Sequence, residues 1–252
     1  TGVQTCALPI SIRGGFILLR ELGAIDADYN LTSIGRKLVR LPVDPTIGRM
    51  LLAAVEETCL REVLVIAAGL SIQDPRERPA EKEAAADQAH REFVDPNSDF
   101  VTLLKIWNAY REAARSRSRN QMKRWCRQRF LNALRMREWA DIRNQLADTL
   151  KAIDAYRLHD LEPDFPAVHR AILTGLLGNV ARRREGNHYD ATHSRKVMLF
   201  PGSALFDRRA ERVRKLKRQG QNPSADAKRT RTPEWILCGE WVETSRLYAR
   251  TA

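Results

Sequence analysis

The sequence predicts a mainly α-helical protein that carries a small β-domain towards its carboxyl end. Apolar residues recur at spacings of three and four through most of the first 180 residues, a pattern typical of amphipathic helices. Beyond Val180 the apolar period shortens towards two, which favours strands. Hydrophobic residues make up 43% of the 252 residues. This composition is sufficient to bury a core and excludes a disordered tail.

The first helices are expected to form a small unit over residues 12–45. An apolar stripe from Ile12 to Leu22 predicts a helix that ends at Gly23, because glycine readily adopts the left-handed conformation that closes helices. A second short helix is predicted from Ser33 to Leu38, after a polar turn. Alone, this helix–turn–helix pattern is a weak indication of function.

A longer helical region follows, in which Asp44 is predicted to cap a helix with Pro45 in its first turn. The helices are predicted at residues 46–57, 60–71, 80–93, 99–114, 121–150 and 168–180. The second is apolar on nearly all sides, so it is expected in the middle of a bundle. The helix at 121–150 carries an apolar stripe backed by arginines, and its aromatic residues are predicted to pack in the core.

The β-domain is predicted from two apolar runs at residues 196–200 and 234–238. A tight turn, Pro201–Ser203, follows the first run. Residues 240–248 are expected to form a further strand or a short helix. Residues 207–231 are predicted to be a long basic insertion between the strands, with a short helix near 212–218.

The net charge of +12 is concentrated in two windows. Residues 111–137 contain ten Lys/Arg and one acid, a net charge of +9; residues 207–231 contain ten Lys/Arg and three acids, a net charge of +7. The remainder therefore carries about −4. Local basicity of this kind favours a nucleic-acid-binding surface. A solvated helix face with a charged loop is the alternative.

Several classes of site and location are not indicated. The four cysteines are far apart and form no CxxC pair, which argues against zinc and against a disulfide framework and favours a reduced, cytoplasmic protein. His188 and His193 are expected in a loop without further ligands, so no metal site is predicted. No run of about 18 apolar residues is present, so no membrane span is expected.

The sequence contains neither a Gly-x-x-x-x-Gly-Lys-Ser/Thr phosphate loop nor an Asp-Glu-Ala-His box. Without backbone amides to hold phosphates and carboxylates to hold magnesium, this chain is expected to hydrolyse no ATP and to carry no cofactor. Residues 1–11 lack an initiator Met and a signal peptide and are expected to be a non-native leader, an ordinary loop being the alternative.

An ordered series of short motifs resembles the accessory region of DEAH/RHA-type (DEAH-box) RNA helicases, bacterial HrpA type. The motifs are Leu22–Asp26, Leu31–Arg36, Leu41–Pro45, Cys59–Leu64, Ala67–Pro79, Ser98–Phe100, Phe130–Asn132, Arg143–Leu146, Phe200–Phe206 and Val242–Tyr248. No single motif is decisive, but their order is specific and covers residues 12–252.

The resemblance implies a division into the end of a winged helix at 12–45, a helical-bundle ratchet (helicase-associated) domain at 46–182, and an OB-fold at 183–252. The basic insertion at 207–231 is longer than the family's usual connection, and the last strands of the OB-fold are expected to be truncated. The resemblance also implies an ATP-dependent 3′-to-5′ RNA helicase whose RecA-like motor domains, with ATP and Mg, lie upstream and are absent here. The implied partners are single-stranded RNA and those motor domains.

Eight residues are candidates for RNA contact on the strength of this resemblance. Those of the predicted OB-fold are a turn at 201–203, which exposes backbone amides and a hydroxyl, and residues 244–246, where a guanidinium supplies charge for phosphate oxygens. Those of the ratchet lie on the helix at 121–150. They are Pro201, Gly202, Ser203, Thr244, Ser245, Arg246, Arg137 and Arg143. Ordinary turn and strand hydrogen bonding is the alternative role for Ser203 and Thr244, and a solvated helix face for the two ratchet arginines.

Three functions remain open from the sequence. The first is the RNA-binding accessory region of a helicase, which closes a channel over single-stranded RNA. The second is a stand-alone basic protein that binds RNA or the ribosome. The third is a helical scaffold for protein interactions. Salt-dependent RNA binding separates the first two from the third.

Overall fold

The computed structural model describes residues 12–159, 164–219, 232–244 and 246–252, and these form ten α-helices and six strands. The helices are α1 (Ile12–Glu21), α2 (Ser33–Leu38), α3 (Pro45–Glu56), α4 (Leu60–Leu70), α5 (Glu83–His90), α6 (Asp99–Ala114), α7 (Arg119–Gln128), α8 (Ala133–Ala152), α9 (Phe165–Gly175) and α10 (Arg208–Arg218). The strands are β1 (Val180–Glu185), β2 (His188–Ala191), β3 (Arg195–Leu199), β4 (Trp235–Leu237), β5 (Glu240–Glu243) and β6 (Leu247–Arg250). No helix in the described ranges is long and apolar enough to cross a membrane.

The N-terminal unit, α1 and α2, is held by its turn. Gly23 closes α1 with φ of +68°, as predicted. The Asp26 carboxylate accepts hydrogen bonds from two backbone amides of the following turn. Thr32 caps α2, since its hydroxyl accepts from the Gly35 amide at 3.0 Å. The chain therefore enters the bundle in a fixed direction.

The centre of the bundle is α4, which is buried along most of its length. It packs against α3, α6 and α8. Gly69 allows a close contact with α8, because a Cβ atom there would lie 2.8 Å from the Trp139 ring. The Trp139 indole is fully buried and donates to the Val65 carbonyl at 2.8 Å. The predicted position of this helix is confirmed.

The single helix predicted at 121–150 is wrong, because α7 and α8 are separate helices. Phe130, between them, has a left-handed φ of +51°. The Asn132 side chain accepts from the Leu134 and Arg135 amides and thereby caps α8. The break also pairs with a distant loop, since the Asn132 amide donates to the Pro75 carbonyl at 2.8 Å. Tertiary pairing has therefore overridden a continuous apolar period.

The six strands form one curled sheet in the order β4-β1-β2-β3-β6-β5. β3 and β6 are parallel, and the other neighbouring strands are antiparallel. The predicted helix at 168–180 is too long, since α9 ends at Gly175 and β1 begins at Val180. Placing His188 in a loop was also wrong, because it begins β2. Residues 240–248 hold two strands, β5 and the start of β6.

A buried carboxylate joins the sheet to the bundle. Asp99, at the start of α6, is 3% exposed and accepts from the backbone amides of Ala204 at 2.9 Å and Ala252 at 3.0 Å. Nearby, Asp74 forms ion pairs with Arg76 at 2.7 Å and with Arg250 of β6 at 3.5 Å. Burial alone would raise the pKa of Asp74, but these two arginines hold it below its ordinary value. The junction fixes one end of β6 against the helices.

Candidate nucleic-acid interface

The outer face of β2, β3 and β6 is defined by strand alternation. Tyr189, Val197, Leu199 and Ala249 face inward into the small core of the sheet. Residues that alternate with them therefore lie on the outer face. Cross-strand pairing places them in two rows. Arg246 is assigned to the second row because the β3–β6 register, continued two residues back from Tyr248, places it beside Lys196. The rows are His188–Met198–Tyr248, in which His188 and Met198 are buried, and Asp190–Lys196–Arg246. We call this surface the OB face.

One predicted RNA turn, Pro201–Ser203, follows β3. The Ser203 amide donates to the Phe200 carbonyl at 2.9 Å and closes the turn. The Ser203 hydroxyl accepts from the Leu205 amide at 3.2 Å, so part of its capacity is used inside the turn. Pro201 and Gly202 are exposed. This turn presents backbone to solvent, with one partly engaged hydroxyl.

The other group of predicted contacts, Thr244–Arg246, lies between β5 and β6. The Thr244 amide donates to the Arg246 carbonyl at 2.9 Å, and both side chains are exposed. Ser245 lies outside the described residues. The positive charge of Arg246 interacts electrostatically with His188 and contributes to lowering the pKa of that histidine. Its charge therefore acts across the OB face.

The structure places the two turns at opposite ends of the OB face. Because β3 and β6 are parallel, Pro201 lies beyond the end of β3, whereas Arg246 lies at the start of β6 beside Lys196. Five residues of strand separate the two positions, or about 17 Å at 3.3 Å per residue. The turns do not meet in one pocket; they flank a face wide enough for several nucleotides.

An aromatic pair lies near the first turn and was not among the predicted contacts. The rings of Phe200 and Tyr248 pack edge to face with centroids 5.9 Å apart, and Phe200 is 37% exposed. The Arg250 guanidinium lies 5.7 Å from the Phe200 ring centre. Exposed aromatic rings beside cations are suited to stacking nucleic-acid bases. Both aromatic residues lie within the two family-like motifs of the β-domain, but only the strand register reveals their contact.

The two predicted ratchet residues lie in different surroundings. Arg137 is half-buried, and its Nε donates to the Ala133 carbonyl one turn earlier at 3.3 Å. Arg143 lines a cleft of about 390 Å³ between α4, α6 and α8, together with Lys105 and Arg111. Lys105 is paired with Asp95 at 2.9 Å. Of the two arginines on α8, Arg143 therefore lines this cleft and Arg137 does not.

Other chemistry is limited among the described residues. No group of three or more potential metal ligands occurs there. Burial, followed by the charge of Arg214, lowers the pKa of His188. Burial raises the pKa of Cys59 to about 12 and that of Cys126 to about 11, so neither thiol is activated as a nucleophile. Cys238 is buried and its pKa is raised as well.

Comparison with known proteins assigns the three parts of the chain. Residues 17–43 match the winged-helix part of the helicase-associated domain, residues 44–135 match its ratchet-like part, and residues 168–252 match the OB-fold of the same proteins. The chain is 38% identical over 248 residues to the ATP-dependent RNA helicase HrpA of Escherichia coli K12, an alignment that covers 96% of the chain. It is 36% identical over 247 residues to the HrpA homolog of Haemophilus influenzae.

The chain is homologous to the helicase-associated and OB-fold region of HrpA-type DEAH-box RNA helicases. The predicted resemblance and fold class are thereby confirmed, with the curled sheet as the OB-fold. The chain spans 17% of the length of these two HrpA relatives. It corresponds to a helicase-associated region within them. The predicted division at residues 45 and 182 stays a prediction.

Proposed function

We propose that this chain is the RNA-binding accessory region of an ATP-dependent 3′-to-5′ RNA helicase and closes a channel over single-stranded RNA. The observation that carries the proposal is the OB face, which combines the exposed Phe200 ring, packed against the half-buried Tyr248, with nearby cations. OB-folds bind oligonucleotides on the face of their second and third strands and in the adjoining loops. In this chain β2 and β3 occupy those positions.

The chemistry of the face favours backbone binding over sequence reading. Lys196 and Arg246 are exposed and able to pair with phosphate oxygens. The Phe200–Tyr248 pair offers stacking, which every base accepts. Such a surface tracks one strand with little sequence preference, as a translocating helicase requires. ATP and magnesium would act in RecA-like motor domains, the other proposed partner of this region.

The test is fluorescence anisotropy of the full chain with labelled oligouridine, titrated at salt concentrations between about 50 and 300 mM. We expect single strands to bind more tightly than duplex and affinity to fall steeply with salt. Phe200→Leu keeps an apolar side chain but removes the ring; it should weaken binding by about tenfold, since one base stack contributes about 1–3 kcal/mol. Arg246→Gln should lower the salt slope by about 0.7.

Lys37→Gln supplies the matched control, because it makes the same charge change on exposed α2, away from the sheet. It should leave affinity and salt slope close to those of the unchanged chain. Circular dichroism must show that every variant is folded. A folded chain that binds no RNA at about 50 mM salt would contradict the proposal and would favour the protein-interaction scaffold.

A further inference from the structure

The basic insertion begins with a helix that is fixed to the sheet. The Asn187 side chain is buried and forms two hydrogen bonds with the backbone of Asp207, both 2.8 Å long. The Asp207 carboxylate accepts from the Arg209 and Ala210 amides at 2.8 and 3.2 Å and caps α10. The start of α10 is therefore an ordered part of the OB-fold.

One side of α10 packs against the β1–β2 turn and His188. A Cβ atom at Gly186 would lie 3.2 Å from the Ala210 methyl group, so the helix lies directly over this turn. The Arg214 guanidinium contacts the His188 ring. Glu211, the one acid within the helix, lies 3.8 Å from the same ring and 4.0 Å from Arg214. The inner side thus contains the helix's own negative charge.

The other side of α10 is uniformly basic. Arg208, Arg209, Arg212 and Lys215 are all exposed. None of them forms an ion pair with another residue in the parts of the chain that the structure describes. Their spacing of three and four places like charges side by side, which destabilises a helix by about 0.2–0.5 kcal/mol per pair. The first two also lie in the first turn, where the helix dipole disfavours cations.

This arrangement of like charges opposes helix stability, so the helix needs either its docking contacts or an external anion.

The cations of α10 are also continuous with the OB face. His188 begins the outer row that ends at Tyr248, and α10 covers the His188 end of that row. Charges on Arg214, Arg184 and Arg246 all reach His188. A polyanion on the OB face would therefore pass beside α10.

We infer that the outer side of α10 is a second contact surface for RNA phosphates and extends the OB face. This inference rests on the proposed function and names a part of the chain that the function alone does not require. RNA is favoured over an acidic protein because α10 adjoins an aromatic, basic face already suited to single strands. The expected contacts are to the backbone and carry no base preference.

The test replaces Arg209, Arg212 and Lys215 together by Gln, which retains helix propensity. The full chain is titrated with labelled oligouridine at several salt concentrations. Removal of three contacts should lower the salt slope by about two, at about 0.7 per phosphate on a single strand. At about 100 mM salt the affinity should fall at least tenfold. A matched triple variant, Arg20→Gln with Lys37→Gln and Arg40→Gln, makes the same charge change at exposed residues of the N-terminal unit.

The melting temperature is a second measurement, because it distinguishes RNA contact from a purely structural role. If these side chains only stabilised the fold, their replacement would lower the melting temperature. Because the substitutions remove like-charge neighbours, the melting temperature should stay the same or rise while RNA affinity falls. If the α10 variant binds RNA as the control does, while Phe200→Leu still weakens binding, the inference is overturned and the proposed function stands. The inference is equally overturned if the α10 variant keeps its RNA affinity and loses only the binding of an acidic peptide probe, polyglutamate. If the unchanged chain binds no RNA, both fail.

Discussion

Removal of the Asp99 carboxylate should separate the sheet from the bundle. This side chain is 3% exposed and accepts two backbone hydrogen bonds from the OB-fold, from Ala204 and Ala252. In Asp99→Ala both amides lose their acceptor inside the junction. A hydrogen bond to a charged group contributes about 1.5–3 kcal/mol, and removal of the buried charge offsets part of this. We expect a loss of about 3 kcal/mol in the free energy of unfolding.

The assay is urea unfolding followed by circular dichroism and by tryptophan fluorescence. If the junction couples the two parts, the variant should also show separate transitions for helices and sheet, because two-state behaviour needs their contact. Asp148→Ala is the matched control, since Asp148 is exposed and, within the described part of the chain, pairs with Lys151 alone, on its own helix; it should change stability by less than about 0.5 kcal/mol. An equally small loss in Asp99→Ala would refute the role assigned to the junction.

Three further outcomes follow from the packing and the charges. Gly69→Ala should destabilise the chain by about 1–3 kcal/mol in urea unfolding, because its methyl group would overlap the buried Trp139 ring, whereas Gly15→Ala in α1 meets no atom within 4 Å and should be neutral or stabilising. Since the pKa of Asp74 is lowered in the folded chain, its ionised form stabilises the fold above the ordinary pKa of about 3.9. That stability should be lost as pH falls below about 4. In Asp74→Asn the melting temperature should therefore change less between about pH 6 and pH 3 than it does in the unchanged chain. The three buried thiols have raised pKa values, so iodoacetamide at about pH 7.5 should modify them only after unfolding, as peptide mapping would show; rapid labelling of the native chain would refute their burial.

Local signals were sufficient for the elements that short segments determine. Asp44 caps α3 with Pro45 in its first turn, as expected, and α6 spans the predicted residues 99–114. Each depends on neighbours within one helical turn. The break between α7 and α8 was not predictable in this way. It depends on pairing with Pro75 and Glu77, more than 50 residues earlier, while the apolar period continues across it.

Two strands, β1 and β2, were missed for a similar reason. β1 has three consecutive arginines, and Ala181 is its one fully buried side chain, so its sequence has no clear period of two. β2 is only four residues long and begins at His188. β1 and β2 pair with each other; β1 also pairs with β4, and β2 pairs with β3, which both lie further along the chain.

The candidate site was predicted as a turn at 201–203 and a second group of contacts at 244–246; the first forms a turn after β3, and the described residues of the second lie between β5 and β6. Their separation along the parallel β3–β6 pair, and the aromatic pair between them, required the register. The position of α10 over His188 likewise follows from tertiary contacts with the buried Asn187. Sequence spacing shows that residues 207–231 are basic, but only the structure shows which side of the helix faces outward.

The most direct test of the central claim is hydrogen–deuterium exchange of the full chain with and without a single-stranded oligouridine of about 12 nucleotides, a length within the usual range for OB-folds. The account predicts slower exchange in peptides that contain Pro201–Ser203 and Thr244–Arg246, at the two ends of the OB face, with little change in α2. Protection confined to the helical bundle, or none at all under conditions of saturated binding, would contradict the claim that the OB face holds the RNA.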